Sequence, residues 1–372
     1  MSATQLAQVN IIESKYVYNH DIMNCTAEGV VANHLYSGRA LAITEPWDMI
    51  QLHQDLQPMW QDICSHYDRI GLNHTKDVIW YLDLKELAAH VGYQPSVFFY
   101  GPNENQFWGD TSWLQTVEYI NSKNNFISLA QALDVDIPQT LCFDAAGFIN
   151  HESVANVVYP CYLKAAVSVS GVGIFRCKNE IELFENLKTF ELNTPVQIQE
   201  EVIAQSFLNM QYKVVGNELI RLAASEQILD GFVHQGNRVP ASHEPWEVIE
   251  PMAEWLFSHG IKGIFAFDVA VIKTSTGWRF PAIECNPRFN GASYPTLIAQ
   301  KLGISKWSAM TFDTQYNSLS DIDLTDIEYN HHTGEGAIIV NWGTLSAGKL
   351  VILMAGSIEY QEALLLELRA RL

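Results

Sequence analysis

The segment from Phe267 to Asn286 constrains the fold more than any other part of the sequence. It contains two apolar runs, FDVAVI and RFPAIECN, joined by the polar stretch KTSTGW, a pattern that predicts a β-hairpin. A hairpin that turns about Thr276 places Asp268 directly opposite Glu284. Asn286 then shares a strand face with Glu284, because alternate residues of a strand point to the same side. The sequence therefore predicts an antiparallel sheet that gathers three oxygen-bearing side chains on one face.

Two carboxylates in opposed positions repel each other unless a cation or a proton lies between them. Asp268 and Glu284, with the amide of Asn286 beside them, form a set of hard oxygen ligands that suits Mg²⁺. Arg288 follows two residues later and offers a forked donor to phosphate or to a developing oxyanion. The alternative is a solvated hairpin face that carries unrelated charges.

Lys164 ends a second apolar strand, YPCYLKAA, and a loop of small residues follows it. Such a loop lets backbone N–H groups approach a phosphate chain closely, while the strand lysine supplies a positive charge. An ordinary turn is the alternative explanation. The candidate phosphate-contacting residues of the loop are Ser168, Ser170, Gly171 and Gly173.

The apolar strand VQIQEEVI ends in paired acids, Glu200 and Glu201, before the chain reverses. A connection of this kind can present a hydrogen-bond acceptor to an amino group, with the backbone at Val202 beside it. A solvated strand end is the alternative.

Length and charge limit the function classes. A chain of 372 residues is long enough for two or three domains at about 150 residues each. The formal net charge of -20 would repel nucleic acid, and no run of basic residues offsets it. The sequence shows neither a signal peptide nor an apolar span of membrane length, so we expect a soluble cytoplasmic protein. The six scattered cysteines are expected to be reduced.

The distribution of apolar runs predicts a multidomain protein that combines α/β and α+β regions. Runs at 41–45, 77–84 and 96–101 predict buried strands of a Rossmann-like layer, although no GxGxxG motif follows any of them. We expect an N-terminal α/β domain over residues 1–120, a small central lobe over 121–205 and a C-terminal lobe over 206–372.

Together, these motifs resemble the ATP-grasp superfamily in order and spacing from about residue 115 to about residue 300. Lys123, at the start of a helix, and Lys164 match the two nucleotide-binding lysines of that family. Glu200, Glu201 and Val202 match its adenine-binding hinge, and Gln211 is our candidate for contact with the ribose. Asp268, Glu284 and Asn286 match its metal ligands, and Arg288 in ECNPR matches the arginine near the transferred phosphate.

The resemblance implies an ATP-grasp fold with a pre-ATP-grasp N-terminal domain. It also implies ATP and two Mg²⁺ ions as cofactors, with Mn²⁺ as a substitute, and Lys164 and Arg288 as catalytic residues. The implied reaction joins a small carboxylate to a small amine through an acyl phosphate, without nucleic acid or membrane. A homodimer is compatible with this class. Two departures stand out, because the loop after Lys164 has only two glycines and Ala266 occupies a position where D-amino-acid ligases usually have arginine.

Two other functions stay open at this point. One is an ATP-grasp carboxylase or phosphotransferase, which ranks lower because we find no biotinyl domain in the chain. The other is a catalytically silent nucleotide-binding regulator. Outside the core motifs, RFNGASYP is a candidate substrate loop, Arg221 forms either a substrate contact or a salt bridge, and His331 with His332 is expected in a polar surface loop.

Overall fold

A computed structural model describes residues 14–25, 32–167, 173–231 and 233–372. Ser168, Ser170 and Gly171 lie outside the described residues. The described chain forms three β-sheets, which occur one after another along the sequence.

The first sheet is parallel and has the strand order β3-β2-β1-β4. This sheet confirms the Rossmann-like layer. Its strands are β1 (Lys15–Asn19), β2 (Met49–Gln51), β3 (Val78–Ile79) and β4 (Tyr93–Val97).

One predicted strand of this region is wrong. Residues 41–45 are not extended, because Leu41 to Ile43 complete a 3-10 helix over Asn33–Ile43. A short, fully buried apolar run has no periodicity that separates a strand from a helix. The true first strand, β1, was missed by the prediction.

The second sheet is antiparallel, with the strand order β5-β8-β6-β7. It packs a small core of its own that includes Leu163, Leu183 and Ile198. Its strands are β5 (Thr140–Phe143), β6 (Cys161–Ala165), β7 (Ile174–Cys177) and β8 (Val196–Glu200).

The third sheet has nine strands and runs in the order β13-β12-β9-β10-β11-β15-β17-β16, with β14 pairing with β12. All of its neighbouring strands are antiparallel. Its strands are β9 (Ser206–Val215), β10 (Glu218–Asp230), β11 (Val233–Val239), β12 (Ile264–Thr274), β13 (Gly277–Arg279), β14 (Ala282–Asn286), β15 (Trp307–Asp313), β16 (Gly336–Asn341) and β17 (Lys349–Ala355).

Helices cover the sheets and connect them. Helix α5 begins at Lys123, as the sequence predicts, and Ser122 caps it by accepting a hydrogen bond from the backbone N–H of Asn125. No helix of the described residues is both long enough and apolar enough to span a membrane. The α-helices are α1 (Trp60–Arg69), α2 (Leu84–Ala89), α3 (Pro102–Trp108), α4 (Thr111–Asn121), α5 (Lys123–Ala132), α6 (Glu180–Leu187), α7 (Trp246–Ser258), α8 (Ser293–Leu302) and α9 (Ile358–Arg371).

The large sheet has different neighbours at its two ends. Around β12, the alternate residues Phe265, Phe267 and Val269 pack with α5 and α7 in one core. At the other end, β15 to β17 share a core with the N-terminal region, and the hydroxyl of Tyr67 donates to the carbonyl of Ile339. The N-terminal region therefore packs directly on the last strands of the chain. The division into three domains given above stays a prediction.

Candidate active site

The hairpin places Asp268 opposite Glu284, as predicted, but a bulge contributes to that register. The tight turn lies between Thr274 and Gly277, which pair with each other. A register shift between Asp268 and Val269 then moves the pairing by one residue, so that Asp268 faces Glu284. Ala266 pairs with Asn286, which puts the amide next to the two acids on the same face.

Asp268 is the centre of a hydrogen-bond network that extends across four strands. Its Oδ1 accepts from Asn209 Nδ2 and from Gln227 Nε2, both at 2.8 Å. Its Oδ2 accepts from Asn286 Nδ2 at 3.2 Å. These donors lie on β9, β10 and β14, so the position of Asp268 is fixed by the sheet rather than by a loop.

The two opposed carboxyl groups have different electrostatic environments. Burial and the charge of Glu284 raise the pKa of Asp268 to about 7. Burial also acts to raise the pKa of Glu284, but the charges of Lys123, Lys164 and Arg288 lower it overall. The lysines thus keep Glu284 ionised, whereas Asp268 is the acid that gains most from an added cation.

The two predicted nucleotide-binding lysines meet at Glu284. Lys123 Nζ lies 3.2 Å from Glu284 Oε2, and the backbone N–H of Lys123 donates to the carbonyl of Ala166, just beyond β6. Lys164 lies on β6, and its charge also acts on Glu284. The smaller sheet therefore faces the polar side of the large sheet, as the motif order predicts.

Lys164 is almost fully buried, with 8% of its surface exposed. Its Nζ donates to Gln199 Oε1 at 2.7 Å. The pKa of Lys164 is lowered to about 8, chiefly by burial; the charge of Glu284 acts to raise it and the charge of Lys123 acts to lower it. A buried amine whose hydrogen bond is to a neutral amide keeps its charge available for an anionic ligand.

Arg288 extends the polar face beyond the hairpin. Its Nη1 donates to Asn286 Oδ1 at 2.7 Å. Asn290, in the predicted substrate loop, donates through Nδ2 to Asn209 Oδ1 at 3.4 Å. This loop therefore adjoins the carboxylates.

The donor set fits a hard divalent cation. Asp268 and Glu284 supply carboxylate oxygens, Asn286 supplies an amide oxygen, and Glu284 remains 31% exposed, so a ligand can reach it. Burial first, and the charge of Glu284 second, raise the pKa of Asp268, and an added cation would favour its ionised form. Mg²⁺ takes few carboxylates together with phosphate oxygens, and this set supplies two carboxylates and one amide.

The predicted hinge acids have other partners in the structure. Glu200 Oε1 accepts from the backbone N–H of Gln139 at 2.9 Å. Glu201 forms an ion pair with Arg176, with Nε and Oε1 2.6 Å apart, and also accepts from the hydroxyl of Tyr162. Val202 is half-buried beside them. Their contact with adenine stays a prediction.

Other predicted residues are placed as follows. Gln211 is fully buried on β9 and donates to Thr296 Oγ1 at 3.0 Å, and its ribose contact stays a prediction. Gly173 has a positive φ of 75° just before β7, which suits a glycine. Arg221 pairs with Glu250 at 2.7 Å. His331 and His332 are exposed, as predicted.

Sequence reasoning missed the side chains that surround the motif residues. Asn209, Gln227 and Gln199 are polar residues within mainly apolar strands, and each contacts Asp268 or Lys164. Their unusual setting was visible in the sequence. Their partners depend on strand order, which a single sequence leaves open.

Several solved structures resemble the chain over nearly its whole length. An N5-carboxyaminoimidazole synthetase from Staphylococcus aureus aligns with 96% of each chain at a TM-score of 0.61 and 13% identity. The N5-carboxyaminoimidazole ribonucleotide synthetase from Thermus thermophilus aligns over 91% of this chain and 96% of its own chain, with a TM-score of 0.58 and 15% identity. A third similar structure is the biotin carboxylase domain of the Hydrogenobacter thermophilus 2-oxoglutarate carboxylase, in complex with MgADP and bicarbonate. It aligns over 92% of this chain and 86% of its own chain, with a TM-score of 0.55 and 12% identity.

No protein-family model matches the sequence. No curated protein matches it either. At identities of this size, the similarity establishes the fold alone. The chain has the ATP-grasp fold, with a Rossmann-like layer preceding it, as the motifs predict.

Proposed function

We propose that this chain is an ATP-dependent ligase that activates a carboxylate as an acyl phosphate and transfers the acyl group to an amine. The observation that carries the proposal is the pairing of Asp268 with Glu284 on the large sheet, facing Lys123 from the start of α5. The ATP-grasp fold and the buried Lys164 support it.

In this proposal, Asp268, Glu284 and Asn286 hold Mg²⁺ at the phosphates of ATP. The metal neutralises phosphate charge and orients the transferred group. Lys123 and Lys164 bind the phosphate oxygens from the opposite side, since both already lie near Glu284. Preorganised charges of this kind stabilise the transition state without reorganisation.

Arg288 lies on the substrate side of Asn286, where it holds the attacking carboxylate in line with the γ-phosphorus. A carboxylate oxygen forms a bond to that phosphorus while the bond to the ADP oxygen breaks. The amine then attacks the acyl carbon, the bond from carbon to the phosphate oxygen breaks, and the amine loses a proton. Amide, ADP and phosphate are the products.

The experiment is a screen of carboxylate and amine pairs with Mg²⁺ and ATP, followed by ADP release and the mass of the product. An ¹⁸O label in the carboxylate should appear in the released phosphate, because one carboxylate oxygen leaves with the phosphoryl group. Glu284→Gln should remove the ADP signal, while Glu362→Gln, on the exposed side of α9, should retain it. Failure of the chain to bind ATP with Mg²⁺ at millimolar concentration would contradict the proposal.

A carboxylase is the second candidate, because the similar structures include synthetases named for a carboxyamino product and a carboxylase with bound bicarbonate. Bicarbonate therefore belongs in the screen as one of the carboxylates. A product that has gained CO₂ would select this candidate, and an amide of an organic acid would select the ligase.

A further inference from the structure

Arg39 is a buried cation without an anionic partner. Only 8% of its surface is exposed, and it lies on the 3-10 helix Asn33–Ile43. Among the described residues, its Nε and Nη2 atoms have no hydrogen-bond partner, and no carboxylate lies within 4.0 Å of the guanidinium. A buried guanidinium with unpaired N–H groups loses solvation without compensation, and an anionic ligand would supply the missing partner.

Three aromatic rings surround the Arg39 guanidinium. Its Cζ atom lies 4.2 Å from the centroid of Phe98, 4.6 Å from Tyr294 and 5.0 Å from Tyr36. Ring faces attract the positive charge, but they offer weak acceptors to the N–H groups in the plane of the guanidinium. The hydroxyl of Tyr294 pairs with His20 Nδ1 at 2.8 Å and also interacts with the Arg39 side chain, but it is a neutral partner that leaves Nε and Nη2 of Arg39 without an acceptor. The cage therefore orients the arginine and leaves its fork of donors for a planar oxyanion.

The position of Arg39 in the fold is that of a ligand site. The strand order reverses between β1 and β4, and ligands of open parallel sheets bind outside the carboxyl ends of the strands at such a point. His20 directly follows β1, and Phe98 directly follows β4. A small cavity adjoins the aromatic cage through Phe98; its lining includes Asn19, Asp21 and Glu104 and does not include Arg39.

The acids of this cavity are engaged elsewhere. Asp21 Oδ1 accepts from the backbone N–H of Met23 at 2.8 Å. Glu104 Oε2 accepts from the backbone N–H of Gly101 at 2.9 Å, and Glu104 Oε1 accepts from Asn24 Nδ2 at 3.5 Å. These carboxylates help to fold the loops. The charge of Arg39 acts on Asp21, but neither carboxylate makes ion-pair contact with the guanidinium.

Arg39 and Arg288 lie near the same aromatic ring. The Cζ atom of Arg288 is 5.8 Å from the Phe98 centroid, and that of Arg39 is 4.2 Å from the same centroid. The backbone N–H of Phe289 donates to the carbonyl of Phe98 at 3.2 Å, which joins this cage to the strand that carries Asn286. A single small molecule can therefore contact both arginines.

We propose that Arg39 binds a second oxyanion, a carboxylate or phosphate group, on the substrate whose carboxylate is activated beside Arg288. This inference rests on the proposed function and narrows its substrate class to acids with two anionic groups. An anion at Arg39 would replace the missing hydrogen-bond acceptor and balance the buried charge.

The test uses the full chain and isothermal titration with two probes, malonate and inorganic phosphate. The parent protein should bind at least one of them, and Arg39→Gln should bind it at least about tenfold more weakly. Arg369→Gln removes an equal charge from an exposed position of α9 and should bind the probe as the parent does. Malonate binding alone indicates a dicarboxylate substrate, and phosphate binding alone indicates a phosphorylated acid.

Equal affinity in Arg39→Gln, or the absence of binding of both probes to the parent, would overturn the inference. Arg39→Met provides the folding control, because a thioether packs well against aromatic rings. If Arg39→Gln and Arg39→Met both fail to fold, Arg39 is structural and the inference is wrong. ATP binding with Mg²⁺ is measured separately, so loss of the proposed function and loss of the Arg39 site are distinguishable.

Discussion

Two charged clusters join distant parts of this chain, and they differ in how completely their charges are paired. Glu328 accepts from His66 Nδ1 at 2.6 Å and from Arg69 through Nε at 2.8 Å and Nη2 at 2.6 Å. Asp268 and Glu284 instead face each other, and within the described residues only Glu284 has a cation in ion-pair contact, from Lys123. The first cluster is complete without a ligand, whereas the second is not.

The difference separates a structural role from a binding role. The Glu328 cluster ties α1 to the region before β16, and His66 Nε2 also accepts from the backbone N–H of Ile339. Breaking a complete buried cluster removes stability. Removing the charge of Glu284 from the incomplete cluster removes both its contact with Lys123 and its repulsion of Asp268, so the loss should be seen mainly in ligand binding and in catalysis.

The largest expected effect is on catalysis. Glu284→Gln keeps the size of the side chain but removes a charge from the proposed Mg²⁺ site, so ADP release should fall by about 1000-fold or more. The free energy of unfolding should change little, because the loss of the contact with Lys123 is offset by the removal of the repulsion between Glu284 and Asp268. Activity and urea unfolding measured on one preparation check both parts. If Glu284→Gln unfolds at lower urea concentration than the parent yet still releases ADP, the Asp268–Glu284 cluster has a structural role and the assignment is wrong.

The opposite pattern is expected for Glu328→Gln. This change leaves the guanidinium of Arg69 without its carboxylate. Because the Arg69 side chain is 47% exposed and water can solvate it, the free energy of unfolding should fall by about 2 kcal/mol. ADP release by the folded fraction should stay close to that of the parent. Unchanged stability in urea would show that the complete cluster does not hold the two regions together.

Acid should weaken the same cluster in the parent. Hydrogen bonds from Arg69 and His66 outweigh the effect of burial and lower the pKa of Glu328 to about 2, against an ordinary value of 4.5. The unfolded state therefore takes up the proton first as the pH falls, and the contribution of Glu328 is lost between about pH 4.5 and 2. The stability difference between parent and Glu328→Gln should shrink by about 2 kcal/mol over that range. A stability difference that stays constant over this pH range would contradict the lowered pKa of Glu328.

The smallest expected effect concerns a residue that positions Asp268. Gln227→Ala removes one of the two donors to Asp268 Oδ1, while Asn209 remains. The KM for MgATP should rise by about tenfold or less, with kcat nearly unchanged, because the carboxylate is less well oriented. Equal losses in kcat and kcat/KM would instead place Gln227 among groups that act in the transition state.

The sequence predicts well the part of the site that lies on the hairpin strands β12 and β14. Asp268 and Glu284 lie within one hairpin, so their pairing depends on a local turn and on the alternation of side chains. Even so, the turn shifts the strand pairing by one residue relative to a hairpin centred on Thr276, and the bulge shifts it back by one residue. Asp268 therefore still pairs with Glu284. The start of α5 at Lys123 was predictable for a similar reason, because its cap and its apolar spacing are local.

The residues that could not be predicted depend on long-range packing. Gln227 reaches Asp268 only because β9 lies between β10 and β12. Arg39 becomes a buried cation because rings just after β4 and on α8 close around a 3-10 helix whose last residues were predicted to be a strand. Neither arrangement has a local signal, since each requires the order and packing of distant elements.

The central claim is that Asp268, Glu284 and Asn286 bind the metal that holds the phosphates of ATP. Isothermal titration of ATP, with and without Mg²⁺, into the parent, Glu284→Gln and Glu328→Gln tests it most directly. The account predicts that the parent and Glu328→Gln bind ATP more tightly when Mg²⁺ is present and that Glu284→Gln loses this gain. The same Mg²⁺-dependent affinity in all three proteins would contradict it.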